Sequence, residues 1–149
     1  MIQQLMFGAG RQLPYLSTSA TFTHSYGTIE NAFDGSRNTY VWRSNIAPLH
    51  QLSGYMIFTW PTAISVNSSI KIGLAMSSSS SRTTGVNIID AYGNTHVTSV
   101  TNHWPSGGIS AYPINHAYPY STIKEMQFIN SYNPATVSQI EIDGTVLTY

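Results

Sequence analysis

The sequence of 149 residues contains no cysteine, and only 8% of its residues are charged. Without cysteine the chain forms neither disulfides nor thiolate metal sites. Six basic and six acidic side chains give a formal net charge of zero at pH 7, so no long-range field attracts nucleic-acid phosphates or anionic lipid. No apolar run approaches the roughly 20 residues of a membrane span, and residues 1–8 lack the features of a secretory signal. We therefore expect no nucleic-acid partner and no membrane insertion.

The pattern of apolar residues indicates an all-β domain. Hydrophobic residues make up 42% of the chain, which is enough for one domain with a buried core. Helical periodicity is nearly absent, whereas period-two alternation recurs between turn signals. The alternation predicts strands at 55–60 (ending before Pro61), 69–76, 86–92, 95–100, 123–129 and 137–146, with Gly93 and Asn94 forming a hairpin turn. Short strands separated by turns are typical of a β-sandwich or jelly roll.

Two stretches are predicted to lie outside this regular pattern. Residues 1–19 form an extended N-terminal arm or, as an equal alternative, an edge strand, and residues 20–149 form the sandwich domain. Residues 101–120 are rich in Pro, Gly, Tyr and His and are predicted to form one long loop. Long loops commonly carry binding sites.

Two segments resemble a known family. Residues 31–44 read NAFDGSRNTYVWRS and are similar to the A-F-D-G-x-x-x-T-x-W signature of discoidin-like domains. Residues 137–147, VSQIEIDGTVL, resemble the closing strand of the same domains. On these motifs residues 20 to 147 resemble a galactose-binding-like domain (discoidin or coagulation-factor C-type), which implies a jelly-roll β-sandwich. The tryptophan that packs under the loop in that family comes one residue later here, as Trp42.

The resemblance also implies a structural calcium ion. In many relatives the Asp-Gly loop wraps calcium with backbone carbonyls, the Asp side chain and a carboxylate from the closing strand. Asp34, Thr39 and Glu141 match those positions, and calcium takes six to eight oxygen ligands. The alternative is a metal-free loop in which the Asp34 side chain binds the backbone that follows it.

A second, looser resemblance concerns small virion proteins of tailed bacteriophages. It rests on the ending IEIDGTVL and on the LMFGAG near the start of the chain. It implies an appendage protein that host lysis releases, and for which no secretory signal is needed. The partners expected from it are other virion proteins and further copies of the chain.

The sequence offers little for catalysis. The five histidines show no paired helical spacing and no nearby carboxylate partner, and no Gly-x-Ser-x-Gly motif is present. A glycosidase needs two free carboxylates, and few of the six acidic residues are free of structural roles. We therefore expect no catalytic residues and no enzyme.

The best candidate ligand site lies in the long predicted loop. Aromatic rings stack on the apolar faces of sugars while polar side chains bind the hydroxyls, but the same residues are common at protein interfaces. Both interpretations remain open. The candidate ligand-binding residues are His103, Trp104, Tyr112, His116, Tyr118 and Arg82.

The main prediction is therefore a non-enzymatic bacteriophage virion protein, such as a tail, neck or capsid appendage, that acts through self-assembly and attachment. It is expected in the virion, outside the cell after host lysis. The alternative is a carbohydrate-binding module that recognises a cell-surface glycan. Calcium is the one cofactor that the sequence suggests.

Overall fold

A computed structural model describes residues 12–19, 22, 24–36, 39–44, 54–67, 70–73, 82–102, 111–114, 122–130 and 135–149. Nearly all regular structure in these ranges is β-strand, with one short 3-10 helix at Ile29–Ala32. None of the described residues form a helix long and apolar enough to cross a membrane. The strands are β1 (Tyr15–Thr18), β2 (His24–Tyr26), β3 (Val41–Ser44), β4 (Gly54–Ser65), β5 (Ile70–Gly73), β6 (Arg82–Ile89), β7 (Thr95–Asn102), β8 (Ala111–Ile114), β9 (Thr122–Asn130), β10 (Ala135–Val137), β11 (Gln139–Ile142) and β12 (Thr145–Val146).

The strands form three antiparallel sheets. A five-stranded sheet has the order β1-β4-β9-β6-β7, a four-stranded sheet the order β12-β11-β5-β8, and a three-stranded sheet the order β10-β3-β2. Buried side chains from all three sheets meet in one hydrophobic core. The predicted all-β sandwich is confirmed.

Alternation along β4 shows how the sequence builds this core. Met56, Phe58 and Trp60 are buried, while the residues between them are partly exposed. The Phe58 ring lies 5.0 Å from that of Phe128 and 5.9 Å from that of Phe33, measured between centroids. Side chains two apart on a strand face the same side of the sheet, so one face of β4 from Gly54 to Trp60 is core.

Two prolines lie within strands, contrary to the sequence predictions. The prediction that a strand ends before Pro61 is wrong, because β4 continues to Ser65. Its ladder with β9 shifts register between Thr59 and Ile64, so Pro61 lies at an irregularity where its missing N–H removes no ladder hydrogen bond. The prediction of one loop over 101–120 is wrong in part, because β7 reaches Asn102 and β8 contains Pro113. Strand β8 is an edge strand, where proline is tolerated.

The predicted hairpin between β6 and β7 is confirmed, although its turn begins earlier than expected. Both strands are eight residues long, and Ile89 pairs with Thr95. The turn therefore starts at Asp90, and Gly93 supplies the positive φ of 87°.

The N-terminal prediction lies only partly within the described residues. Strand β1 forms the edge of the five-stranded sheet, where Leu16 pairs with Phe58 of β4. Residues 1–11 lie outside the described residues. The proposed boundary at residue 19 stays a prediction.

Candidate functional site

Four strand ends of the five-stranded sheet converge at one end of the sandwich. Gly54 at the start of β4 pairs with Asn130 at the end of β9, and Arg82 at the start of β6 pairs with Asn102 at the end of β7. Since β6 is antiparallel to β9, all four residues lie at the same end of the sheet, called the Arg82 end below. The segments 45–53, 74–81, 103–110 and 131–134 each join the sheet at this end.

At the Arg82 end, one predicted ligand residue pairs with the residue that leads into a second part of the predicted site. Arg82 is directly opposite Asn102, the residue that precedes His103 and Trp104. Sequence alone gave no reason to place Arg82 beside that segment. His103, Trp104, His116 and Tyr118 lie outside the described residues, as does the side chain of Arg82.

Tyr112 occupies a different position from the other ligand candidates. It lies in β8, opposite Ile72 of β5, and Ile72 is fully buried. Its own side chain lies outside the described residues. The register therefore places Tyr112 in the four-stranded sheet, one residue after the start of β8.

The Asp34 loop is closed by its own hydrogen bonds. The Ser36 N–H donates to Asp34 Oδ1 over 2.8 Å, and the Thr39 hydroxyl donates to Asp34 Oδ2. The Tyr149 N–H donates to the carbonyl of Phe33 over 3.2 Å, which holds the C-terminal residue against the loop. The prediction that Asp34 binds the backbone after it is confirmed.

The described donors do not by themselves make a calcium site. Of the three predicted ligands, Asp34 and Thr39 bind each other, while Glu141 lies on β11 opposite Lys71 and Val146. Within the part of the chain that the structure describes, no group of three or more His, Cys, Asp or Glu side chains is placed to hold a metal ion. Calcium takes six to eight oxygen ligands, which include backbone carbonyls, and the calcium ion stays a prediction.

Replacing Asp34 with alanine should lower the free energy of unfolding by about 1–2 kcal/mol, because the loop loses both side-chain hydrogen bonds. The loss should be equal in calcium and in EDTA, since the two bonds are internal. Chemical denaturation in each buffer measures it. Ser17→Ala, at an exposed position of β1, is the control. A loss that appears only with calcium would instead establish the metal site.

The register of β3 differs from the one that the family motif implies. Two residues after Thr39, where the motif has its tryptophan, the chain has Val41, which is fully buried opposite Val137. Trp42 follows, and the ladder places it opposite Tyr26 of β2. A one-residue shift in a strand exchanges the two faces of the sheet. Val41 therefore fills the core position that the resemblance assigned to tryptophan.

The turn between β6 and β7 contains a carboxylate–histidine pair that the sequence interpretation missed. His96 Nε2 lies 3.1 Å from Asp90 Oδ2, so the statement that no histidine has a carboxylate partner is wrong. The buried Asp90 also accepts hydrogen bonds from the Tyr92 N–H and from the backbone and side chain of Asn94. Burial raises the pKa of Asp90, but the bonds from His96, Asn94 and Tyr92 outweigh it and lower the pKa to about 2.

Asp90→Asn should destabilise the protein at neutral pH, and the difference from wild type should shrink as the pH falls from about 4 to about 2. The carboxyl of an unfolded chain titrates near pH 3.9, above the lowered pKa of about 2 in the folded protein. The ionised side chain therefore stabilises the fold fully above pH 4 and loses that contribution on acidification. Unfolding midpoints measured from pH 7 to pH 2 check this. A constant gap across the range would contradict it.

Comparison with known proteins gives matches only at the level of structure. No family model and no curated sequence matches the chain. The CBM32 of AlyQ in complex with 4,5-unsaturated mannuronic acid is similar with a TM-score of 0.51 and 13% identity, over 87% of this chain and 96% of that chain. The family 32 CBM from C. perfringens NanJ in complex with galactose is similar with a TM-score of 0.53 and 17% identity, over 84% of this chain and 90% of that chain.

These comparisons correct the main functional prediction. The interpretation as a bacteriophage virion protein is wrong, because the matched structures are carbohydrate-binding modules with bound sugars, which favours the stated alternative. Virion proteins and further copies of the chain gain no support as partners, and the expected virion location rested on that interpretation. The antiparallel, nearly all-strand architecture and the matched structures agree that this protein has the galactose-binding-like, discoidin-type fold.

Proposed function

We propose that the protein is a non-catalytic carbohydrate-binding module that binds a glycan at the Arg82 end. The observation that carries this proposal is the likeness of its fold, over more than four-fifths of the chain, to two modules with bound sugars. The fold supplies a rigid scaffold, and binding residues commonly lie on the segments that such a scaffold positions.

The chemistry at the Arg82 end supports a sugar ligand. The backbone of Arg82 pairs with Asn102, the residue before His103 and Trp104, and an arginine side chain can donate up to five hydrogen bonds. Trp104 provides an aromatic face for the apolar side of a pyranose ring, while the polar groups bind its hydroxyls. With a formal net charge of zero, the protein has no long-range field that favours a strongly charged ligand.

Structural roles of the carboxylates support a binding function without catalysis. Asp34 and Asp90 bind their own turns, and Asp143 accepts the Asn67 N–H over 2.9 Å. Glu125 accepts hydrogen bonds from Thr59 and from Gln127. Four of the six acidic residues are thus engaged, whereas a glycosidase needs a pair free to act on one bond.

A glycan array probed with the purified protein tests the proposal. We expect binding to a limited set of glycans, and loss of that binding in Trp104→Ala and Arg82→Ala. Tyr92→Ala is the matched control, because Tyr92 is 87% exposed on the turn at the opposite end of the sheet. Tyr112 is left unchanged because its ladder partner Ile72 is part of the core. No binding to any glycan by a folded protein would overturn the proposal.

A further inference from the structure

We propose a second sugar-binding site, separate from the Arg82 end, formed by the stacked rings of Tyr26 and Tyr40, called the tyrosine ledge below. It rests on the proposed function, because it assigns a further site for the same class of ligand. Its ligand is one neutral hexopyranose ring, held by stacking on the exposed tyrosine face and by hydrogen bonds to the phenolic hydroxyls.

The two tyrosines form a stack outside the hydrophobic core. Their ring centroids are 4.9 Å apart and their planes meet at 30°. Tyr26 is 51% exposed, and Tyr40 is partly exposed. Every other aromatic contact between described residues involves Phe33 or Phe58, both of which are buried. The ledge therefore presents a paired aromatic surface to solvent without serving the core.

The backbone beneath the ledge is fixed by three neighbouring features. Arg43 Nη1 donates to the carbonyls of Tyr26 and Gly27, each over 3.3 Å. Gly27 has a φ of 71°, and its backbone approaches the Tyr40 carbonyl too closely to leave room for a Cβ atom. Beyond it, the Thr28 N–H and hydroxyl both donate to Asn31 Oδ1 over 3.2 Å. A ring pair on a fixed backbone binds with little ordering cost.

The size of this face favours a sugar ring over a protein. Strands β2, β3 and β10 have three, four and three residues, so at about 4.8 Å between strands and 3.3 Å per residue the face covers roughly 200 Å². A stable protein interface buries about 800 Å² on each partner. One hexopyranose ring covers about as much surface as one tyrosine ring. The ledge offers one exposed tyrosine face of that size.

The charges beside the ledge favour a neutral sugar. Arg43 directs its guanidinium at two backbone carbonyls, and burial lowers the pKa of Arg43. The Nη1 group of Arg43 therefore serves the backbone beneath the ledge. Tyrosine hydroxyls both donate and accept, as the hydroxyls of a neutral sugar require.

The test is an NMR titration of the full chain with galactose, in wild type and in Trp104→Ala. It follows the ring signals of Tyr26 and Tyr40 and, separately, the backbone amides of Arg82 and Asn102. We expect the tyrosine signals to shift saturably in both proteins. In Tyr26→Leu the affinity measured at the Tyr40 ring should fall about 3- to 10-fold, the usual contribution of an aromatic contact. Tyr92→Leu is the control and should leave both sites unchanged.

The remaining outcomes separate the two proposals. If the amide signals of Arg82 and Asn102 shift while the tyrosine ring signals do not, the ledge is overturned and the proposed function stands. Shifts at the ledge alone would support the ledge and leave the Arg82 end to be tested with the glycan that the array selects. No shift at either place would overturn the ledge, while the glycan array decides the proposed function separately. Tyrosine signals that move with protein concentration, without sugar, would assign the ledge to a second copy of the chain.

Discussion

Phe58→Ala should lower the free energy of unfolding by about 3–5 kcal/mol, which is the usual cost of removing a phenyl ring from a core. Phe58 is fully buried, and its ring contacts the rings of Phe33, Trp60 and Phe128 with centroids 5.0–6.5 Å apart. Those neighbours lie on separate segments, so they cannot close the cavity together. Urea denaturation followed by tryptophan fluorescence measures the loss.

Tyr92→Ala is the control for this experiment. The Tyr92 side chain is 87% exposed, and exposed substitutions usually change stability by less than about 0.5 kcal/mol. If Phe58→Ala loses no more stability than the control, the packing of the core around β4 is contradicted.

Gly27→Ala should destabilise the protein by about 2–5 kcal/mol. A positive φ costs an alanine about 1–2 kcal/mol, and Gly27 has a φ of 71°. The added Cβ also overlaps the backbone carbonyl oxygen of Tyr40, and such overpacking adds about 1–3 kcal/mol. A backbone atom cannot rotate away as a side chain can, so the strands β2 and β3 must separate locally.

Gly93→Ala is a matched control, because it shares the cost of a positive φ but not the overlap of the added Cβ with a backbone atom. Gly93 has a φ of 87°, and no atom lies within 4 Å of an added Cβ. It should lose only about 1–2 kcal/mol. Equal losses for the two variants, measured by chemical denaturation, would show that Gly27 and Tyr40 do not make the close approach.

The parts of the fold that followed from sequence are those with long, clean alternation. In β5 the residues Ile70 and Ile72 are both fully buried, and the alternation around them predicts a strand with one core face. The hairpin of β6 and β7 followed from two alternating runs around Gly93. Period-two patterning is a local property, so it can be recognised without knowing the partner strands.

The prolines show where local patterning fails. Pro61 was interpreted as the end of a strand and Pro113 was placed in a long loop, yet each lies within a strand. Whether a strand tolerates proline depends on a register shift or on an edge position. The register shift and the edge position both depend on which strands pair, and local sequence patterns do not show strand pairing.

The sequence predicted residues of the candidate site but not which of them lie close together. The aromatic segment and Arg82 were chosen by residue type, but the pairing of β6 with β7 is what places Arg82 opposite Asn102. Similarly, Tyr26 and Tyr40 meet because β2 pairs with β3. Those strands have three and four residues, which is too short for alternation to reveal a face.

The most direct test of the sugar-binding proposal is an NMR titration of the protein with the glycan that it binds best on an array, followed at all backbone amides. We predict the largest shifts at Gly54, Arg82, Asn102 and Asn130, the four strand ends that meet at the Arg82 end. The turn around Asp90 at the opposite end should not respond. Shifts centred on that turn, or none at saturating glycan, would contradict the proposal that this fold binds a sugar at the Arg82 end.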